Sequence, residues 1–291
     1  MNRPLSKKPD RSGKRPSSLR RLFVPTLLCL ALFPASFALA EKSGGYEDVP
    51  YSGDYGNKDS LTGNDVRISD ETISGDVYGA YAKASDSSEN ATATINNSVT
   101  ISSRSKVTGN IYGGFADDSI SENATVTANG NSVTVSGNSE VNGDISGGFA
   151  EAAFGNKKTS VTANDNSVTV SGSTVNGTFG IYGGEAYIKG NGNQTATAEA
   201  NNNSVTVSNG STTNGIYGGY ASATGNQTAA AEANNNSVTV SNGSTVERNV
   251  FGSYAEVSLY ENETSTSALN DESEGQYQNT SYSEDATAKA N

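Results

Sequence analysis

From residue 61 onward the apolar residues alternate with serine and threonine in short runs, and the runs recur at a nearly constant distance. Asn97-Ser98-Val99-Thr100-Ile101 returns as Asn131-Ser132-Val133-Thr134-Val135, Asn166-Ser167-Val168-Thr169-Val170, Asn203-Ser204-Val205-Thr206-Val207 and Asn236-Ser237-Val238-Thr239-Val240. A weaker copy is Asn64-Asp65-Val66-Arg67-Ile68. An apolar residue at every second position predicts a strand with one face buried. Helix is excluded on the same ground: nothing after residue 40 repeats at three and four, and β-branched residues dominate while glycine and asparagine break every segment.

A second block keeps step with the first. It reads Val77-Tyr78-Gly79-Ala80-Tyr81-Ala82, Ile111-Tyr112-Gly113-Gly114-Phe115-Ala116, Ile145-Ser146-Gly147-Gly148-Phe149-Ala150, Ile181-Tyr182-Gly183-Gly184-Glu185-Ala186, Ile216-Tyr217-Gly218-Gly219-Tyr220-Ala221 and Val250-Phe251-Gly252-Ser253-Tyr254-Ala255, with first positions 34, 34, 36, 35 and 34 residues apart. A fixed period of this size predicts a stacked array in which one repeat cannot bury its apolar face alone. The expected fold is all-β, a parallel β-solenoid of about six coils of about 34 residues. Val99, Val133, Val168, Val205 and Val238 then form an inward structural ladder, each coil one strand spacing, about 4.8 Å, from the next. Alternating segments such as Thr195-Ala196-Thr197-Ala198-Glu199-Ala200 predict a further strand with alanines inward, for about three strands per coil. The glycine pair suits a tight corner or a close backbone approach. Asn97, Asn131, Asn166, Asn203 and Asn236 suit a turn ladder, because asparagine tolerates left-handed geometry and its amide can bond its copies above and below. Polar stretches such as Ser85 to Asn90 and Asp117 to Glu122 read as loops.

The first forty residues differ from the rest. Eight basic residues precede an apolar run that ends at Ala38-Leu39-Ala40, the order of a secretory signal peptide with Glu41 as the new N-terminus. Its removal leaves 11 basic against 30 acidic residues, a formal charge of −19, which disfavours nucleic-acid binding. Cys29 leaves with the leader, so the remaining chain holds no thiol and stability must come from repetition instead of disulfides. The reading is 1–40 signal peptide, 41–60 lead-in, 61–256 solenoid, and 257–291 a degenerate or truncated repeat, with a disordered acidic tail as the alternative. The last residues, Asp285-Ala286-Thr287-Ala288-Lys289-Ala290-Asn291, resemble the alanine-threonine strand of a seventh repeat.

Catalytic chemistry is sparse. The chain has no histidine, which removes Ser-His-Asp, Cys-His and histidine-metal arrangements. Asp144, Glu185, Glu199 and Glu232 occupy different repeat positions and are expected not to gather, so no enzyme, no catalytic residue, no metal site and no cofactor is assigned. Two aromatic columns run along the repeats, three residues apart. An unbroken strand would place them on opposite faces unless the glycine pair turns the chain. One column is expected to stack in the core. The other, Tyr81, Phe115, Phe149, Tyr220 and Tyr254, is the candidate ligand-facing stripe, and Glu185 interrupts it.

The leader together with the Asn-Ser-Val-Thr-Val and Ile-Tyr-Gly-Gly-Tyr-Ala blocks resembles the passenger regions of Gram-negative autotransporters, particularly adhesin-like repeat regions, over roughly Leu61 to Ala255. The resemblance implies a β-helical, cysteine-free, outer-membrane or cell-surface protein that binds host surfaces or sister cells. The C-terminal membrane barrel of that family has no counterpart after Ala255 in this sequence. The expectation is therefore an exported surface or extracellular adhesin or autoaggregation passenger. Its partner would be a host surface protein or glycan, or another copy, and its contact with a membrane would run only through a separate translocator. The alternatives are a structural spacer or matrix component without a ligand and a polysaccharide-active β-helix enzyme.

Overall fold

The computed structural model describes residues 51–52, 55–56, 60–84, 91–118, 123–153, 158–189, 195–225, 228–259 and 286–290. The signal peptide and most of the lead-in lie outside the described residues. Among the described residues every helix or strand element is a strand, and each pairs in parallel with the equivalent strand of a neighbouring coil. The chain is a β-solenoid. Six levels of the valine strand, from Asp65–Ser69 to Ser237–Val240, define five full turns.

Four sheets form the wall, one more than the sequence suggests. The valine sheet holds Asp65–Ser69, Ser98–Ser102, Ser132–Ser136, Ser167–Ser171, Ser204–Ser208 and Ser237–Val240. The corner sheet is built from two-residue strands: Thr72–Ile73, Lys106–Val107, Glu140–Val141, Thr174–Val175, Thr212–Thr213 and Thr245–Val246. The aromatic sheet contains Ile111–Asp118, Ile145–Ala153, Ile181–Lys189, Ile216–Gly225 and Val250–Leu259. The alanine sheet contains Asn123–Asn129, Lys158–Thr162, Thr195–Glu199 and Thr228–Ala233. A two-residue strand is too short to show period two, which is why the corner escapes a pattern reading.

The predicted ladder holds residue for residue: Val99, Val133, Val168, Val205 and Val238 are successive register partners. The first four are 1 % exposed, whereas Val238 in the last coil is only partly buried. They belong to one apolar core with Val107, Val141 and Val175 of the corner and Ile111, Ile145, Ile181 and Ile216 at the start of the aromatic strands. A second core is alanine-rich and lies between the far half of the aromatic strands and the alanine sheet, where Ala116, Ala150, Ala186 and Ala221 cluster with Ala128, Ala163, Ala200 and Ala233. Small side chains on both faces let these two sheets close tightly over the second core.

Between the two cores runs the asparagine ladder. Asn166 shows its connectivity: its Oδ1 accepts the Asn131 backbone N–H at 2.8 Å and the Asn131 Nδ2 at 3.2 Å, while its own Nδ2 donates to the Ala128 carbonyl at 2.8 Å and to Asn203 Oδ1 at 3.2 Å. The side chains are buried, so these bonds are made in place of water. Left-handed geometry falls one residue earlier than expected, at Asn96, Gly130, Asp165, Asn202 and Asn235, whose φ values lie between 55° and 66°. The ladder asparagine is chosen for its amide, and the residue before it makes the turn.

The second glycine of each pair leaves room for that ladder. A Cβ on Gly184 would sit 2.4 Å from Asn203 Oδ1, and one on Gly183 would meet the carbonyl of Gly218 in the next coil at 2.2 Å. At the edges of the array, Tyr51–Ser52 and Tyr55–Gly56 of the lead-in pair with Val77–Tyr78 and Tyr81–Lys83, so the aromatic sheet begins before residue 61. Ala286–Ala290 pairs with the Thr228–Ala233 strand as a seventh alanine-sheet level. Asp117 and Asp118, expected in a loop, end the Ile111–Asp118 strand instead.

Candidate aromatic groove

Both aromatic columns lie on the outside of the aromatic sheet, and neither joins the two apolar cores. This corrects the expectation that one column packs inside. The physical reason is the glycine pair. Ile111 enters one core and Ala116 the other, while pairing between neighbouring strands passes over Gly113 and Gly147. The strand bends there, and the two rings flanking the bend come to the same side. Tyr112 and Phe115 meet edge to face with centroids 5.0 Å apart, and Tyr217 and Tyr220 do so at 6.0 Å. These are favourable aromatic geometries.

Ring contacts along the stack fall into two blocks. In the first, Tyr78 stacks on Tyr112 at 5.1 Å and Phe115 on Phe149 at 4.8 Å. In the second, Tyr182 stacks on Tyr217 at 4.9 Å, Tyr217 on Phe251 at 5.1 Å and Tyr220 on Tyr254 at 5.2 Å. Between the blocks each column loses one ring. Ser146 stands where other coils carry tyrosine or phenylalanine, and Glu185 stands in the second column. The Ser146 Oγ donates to Glu185 Oε2 at 3.3 Å, so the two interruptions touch across neighbouring coils.

A groove of about 590 Å³ opens at this break. Its walls include Phe149, Tyr182, Tyr217 and Tyr220, and its polar groups include Asp144 and Glu185. Four of the five sequence-predicted ligand-facing aromatics are found as follows: Phe149, Tyr220 and Tyr254 line the groove, and Phe115 is buried against Phe149. The fifth, Tyr81, packs against Phe115 at 5.0 Å. Asp144 and Glu185 were expected to stay apart, yet both reach the groove. Glu199 and Glu232 are register partners in the alanine sheet. Both carboxyls reach one groove because the bend carries Glu185 outward, towards the turn that holds Asp144, and spacing alone does not reveal that bend.

One rim residue escaped the sequence reading. The corner-to-aromatic connection is two residues longer in the coil with Thr174–Val175, which accounts for the 36-residue spacing. The extra length projects Phe179, 58 % exposed, over the groove. The connection is braced: Asp144 Oδ1 accepts the backbone N–H groups of Phe179 and Gly180 at 2.9 and 2.8 Å, Asn214 Nδ2 donates to the Gly177 carbonyl at 2.6 Å, and Arg248 Nη1 donates to the Thr178 carbonyl at 3.1 Å. The irregular spacing was the available signal.

No protein family, curated protein or solved structure matches this chain. The chemistry of the groove therefore rests on its own residues. Burial pushes the Glu185 carboxyl up to about 8; Asp144 and Glu151 add to the rise, and the Ser146 hydrogen bond opposes it. Burial likewise raises the phenols of Tyr182 and Tyr220, and the negative charge of Glu185 adds to it in both. Those phenols stay protonated and serve as neutral platforms. Among the described residues no group of three histidine, cysteine, aspartate or glutamate side chains is placed to hold a metal ion.

Proposed function

We propose that the protein is an exported surface adhesin that binds a glycan along the outward aromatic groove. The observation that carries this reading is an outer belt of rings, interrupted at Ser146 and Glu185, that belongs to neither of the two apolar cores. Aromatic faces outside a core stack on the apolar faces of sugar rings, while nearby hydroxyl, amide and carboxyl groups fix orientation. The basic and apolar leader supports export, and the resemblance to autotransporter passengers supports a place at the cell surface. Purified chain from residue 41 onward, incubated with immobilised glycans, matrix proteins and itself, tests the reading. Retention on glycans that Tyr217→Ala and Tyr220→Ala weaken is the expected result. A structural spacer would bind none of the three.

A second reading, polysaccharide cleavage, is favoured by one observation, the convergence of Asp144 and Glu185 in a concave aromatic site. Hydrolysis by a carboxyl pair needs one acid free to act as nucleophile or base. Asp144 already holds two backbone N–H groups, which makes it an anchor for the Phe179 connection. Binding without cleavage is the better account, and release of reducing ends from a polysaccharide panel would reverse that order.

A further inference from the structure

We infer that the break in the aromatic stack at Ser146 and Glu185 is a subsite for a sugar carrying a free, positively charged amine, as in an unacetylated glucosamine unit. The inference rests on the glycan reading and deepens it.

Two adjacent ring positions are vacated in this one place, and a six-membered sugar ring is about as large as the tyrosine ring that neighbouring coils put there. The remaining walls, Phe149, Tyr182 and Tyr220, offer aromatic surfaces on either side of the gap, and Phe179 overhangs it. Aromatic faces carry partial negative charge and attract cations. Both ionisable carboxyls that line the groove are acidic, and no lysine or arginine is among its lining residues. Glu185 has one hydrogen bond, from Ser146, to Oε2, and it is partly open to the groove. Burial without a cationic partner disfavours its ionised form, and an ammonium group would supply the missing partner. An N-acetylated or neutral sugar could stack on the same rings but would leave that carboxyl unmatched. A sugar acid would bring a further carboxyl to a groove whose lining offers no cation to pair with it. Selectivity for the amine thus follows from the replacement of a ring by a carboxyl, whereas the stacking affinity belongs to the rest of the belt.

Calorimetric titration of the chain from residue 41 onward at pH 6.5 with hexamers of glucosamine, N-acetylglucosamine and glucose, and with pentalysine, tests this. The expected order is glucosamine hexamer tightest, by about tenfold over the N-acetylated hexamer. Glu185→Gln should erase that preference while keeping the weaker binding of neutral hexamers. Ser146→Tyr, which restores a residue type that Tyr112 and Tyr182 already place in the column, should fill the gap and weaken binding of the glucosamine hexamer without lowering the melting temperature. Equal binding of all three hexamers to the unmodified chain overturns the subsite and leaves the glycan reading standing. Pentalysine binding as tightly as the glucosamine hexamer overturns the subsite as a sugar site. No binding by any hexamer overturns both.

Discussion

The Ser146 hydroxyl and the Glu185 carboxylate, 39 residues apart in the chain, meet at 3.3 Å because successive coils bring them into adjoining columns of one outer face. Charged or titratable groups around that contact are Asp144 from the preceding turn, Glu151 of the neighbouring strand with Lys189 beside it at 3.9 Å, and the phenols of Tyr182 and Tyr220. Tyr220 in turn donates to Glu256 at 3.4 Å.

The first prediction concerns pH. The folded-state value for Glu185, about 8, lies above its ordinary carboxyl value, so the folded chain holds this proton more tightly than the unfolded chain does. Its contribution is therefore complete below the ordinary carboxyl range, declines as pH rises, and is exhausted above about 8. Melting temperature should fall between pH 5 and pH 9, and Glu185→Gln should flatten part of that fall. A difference between the two proteins that stays constant across the range would contradict the assignment.

The asparagine ladder gives the second. Asn166→Ala removes the acceptor for the Asn131 N–H and amide and the donor to the Ala128 carbonyl, all in a dry interior. Each buried group left without a partner costs about 1–3 kcal/mol, so the loss should be on the order of 3 kcal/mol or more. Urea unfolding measures it. Ser136→Ala, partly exposed on the valine strand, is the control and should cost under about 0.5 kcal/mol.

The valine ladder, the strand class and the repeat length are legible in the sequence because they rest on period two and on a repeat that recurs almost unchanged. The asparagine column is legible for the same reason. Other parts depend on features that do not recur or are too short to show a period. The corner strands have two residues each. The serine column at the corner, in which Ser139 N–H donates to Ser173 Oγ at 3.2 Å and Ser211 N–H to Ser244 Oγ at 3.2 Å, hides among many serines. The groove itself is a departure from repetition: a serine for a tyrosine, a glutamate for an aromatic, and two extra residues at Phe179. Each departure is visible along the chain. That they meet depends on the bend at the glycine pair, which sets both columns on one face.

Two glycines should respond to alanine through different physics. At Gly183 the added Cβ has no room, since the Gly218 carbonyl would lie at 2.2 Å, and relief requires two coils to part. The cost should reach or exceed about 3 kcal/mol, the upper end for overpacking. Gly210 has open space around it but a φ of +75°, so alanine there meets only backbone strain of about 1–2 kcal/mol. Guanidinium melts of the two variants should separate clearly. Equal losses would mean that contact between neighbouring coils is looser than the stacking distances indicate.

Removal of a whole coil tests the stacking itself. Deletion of residues 97–130 joins Ile95-Asn96 to Asn131, which occupies the same place in its coil as Asn97. The new neighbour of Val66 becomes Val133, and every ladder can close again with one rung fewer. In an array whose coils touch only adjacent coils, stability changes by one repeat and its interfaces, so the shortened chain should still fold. Circular dichroism per residue should stay the same and the melting temperature should drop modestly. Ser146 and Glu185 themselves remain. Although Asn110 and Tyr112 of the groove wall leave with the coil, Tyr78 takes the place of Tyr112, so binding at that subsite should persist while a belt one coil shorter holds glycans less tightly. Collapse of the β signal on loss of this one coil would show that the strands are held by long-range contacts that a stack of equivalent coils does not contain.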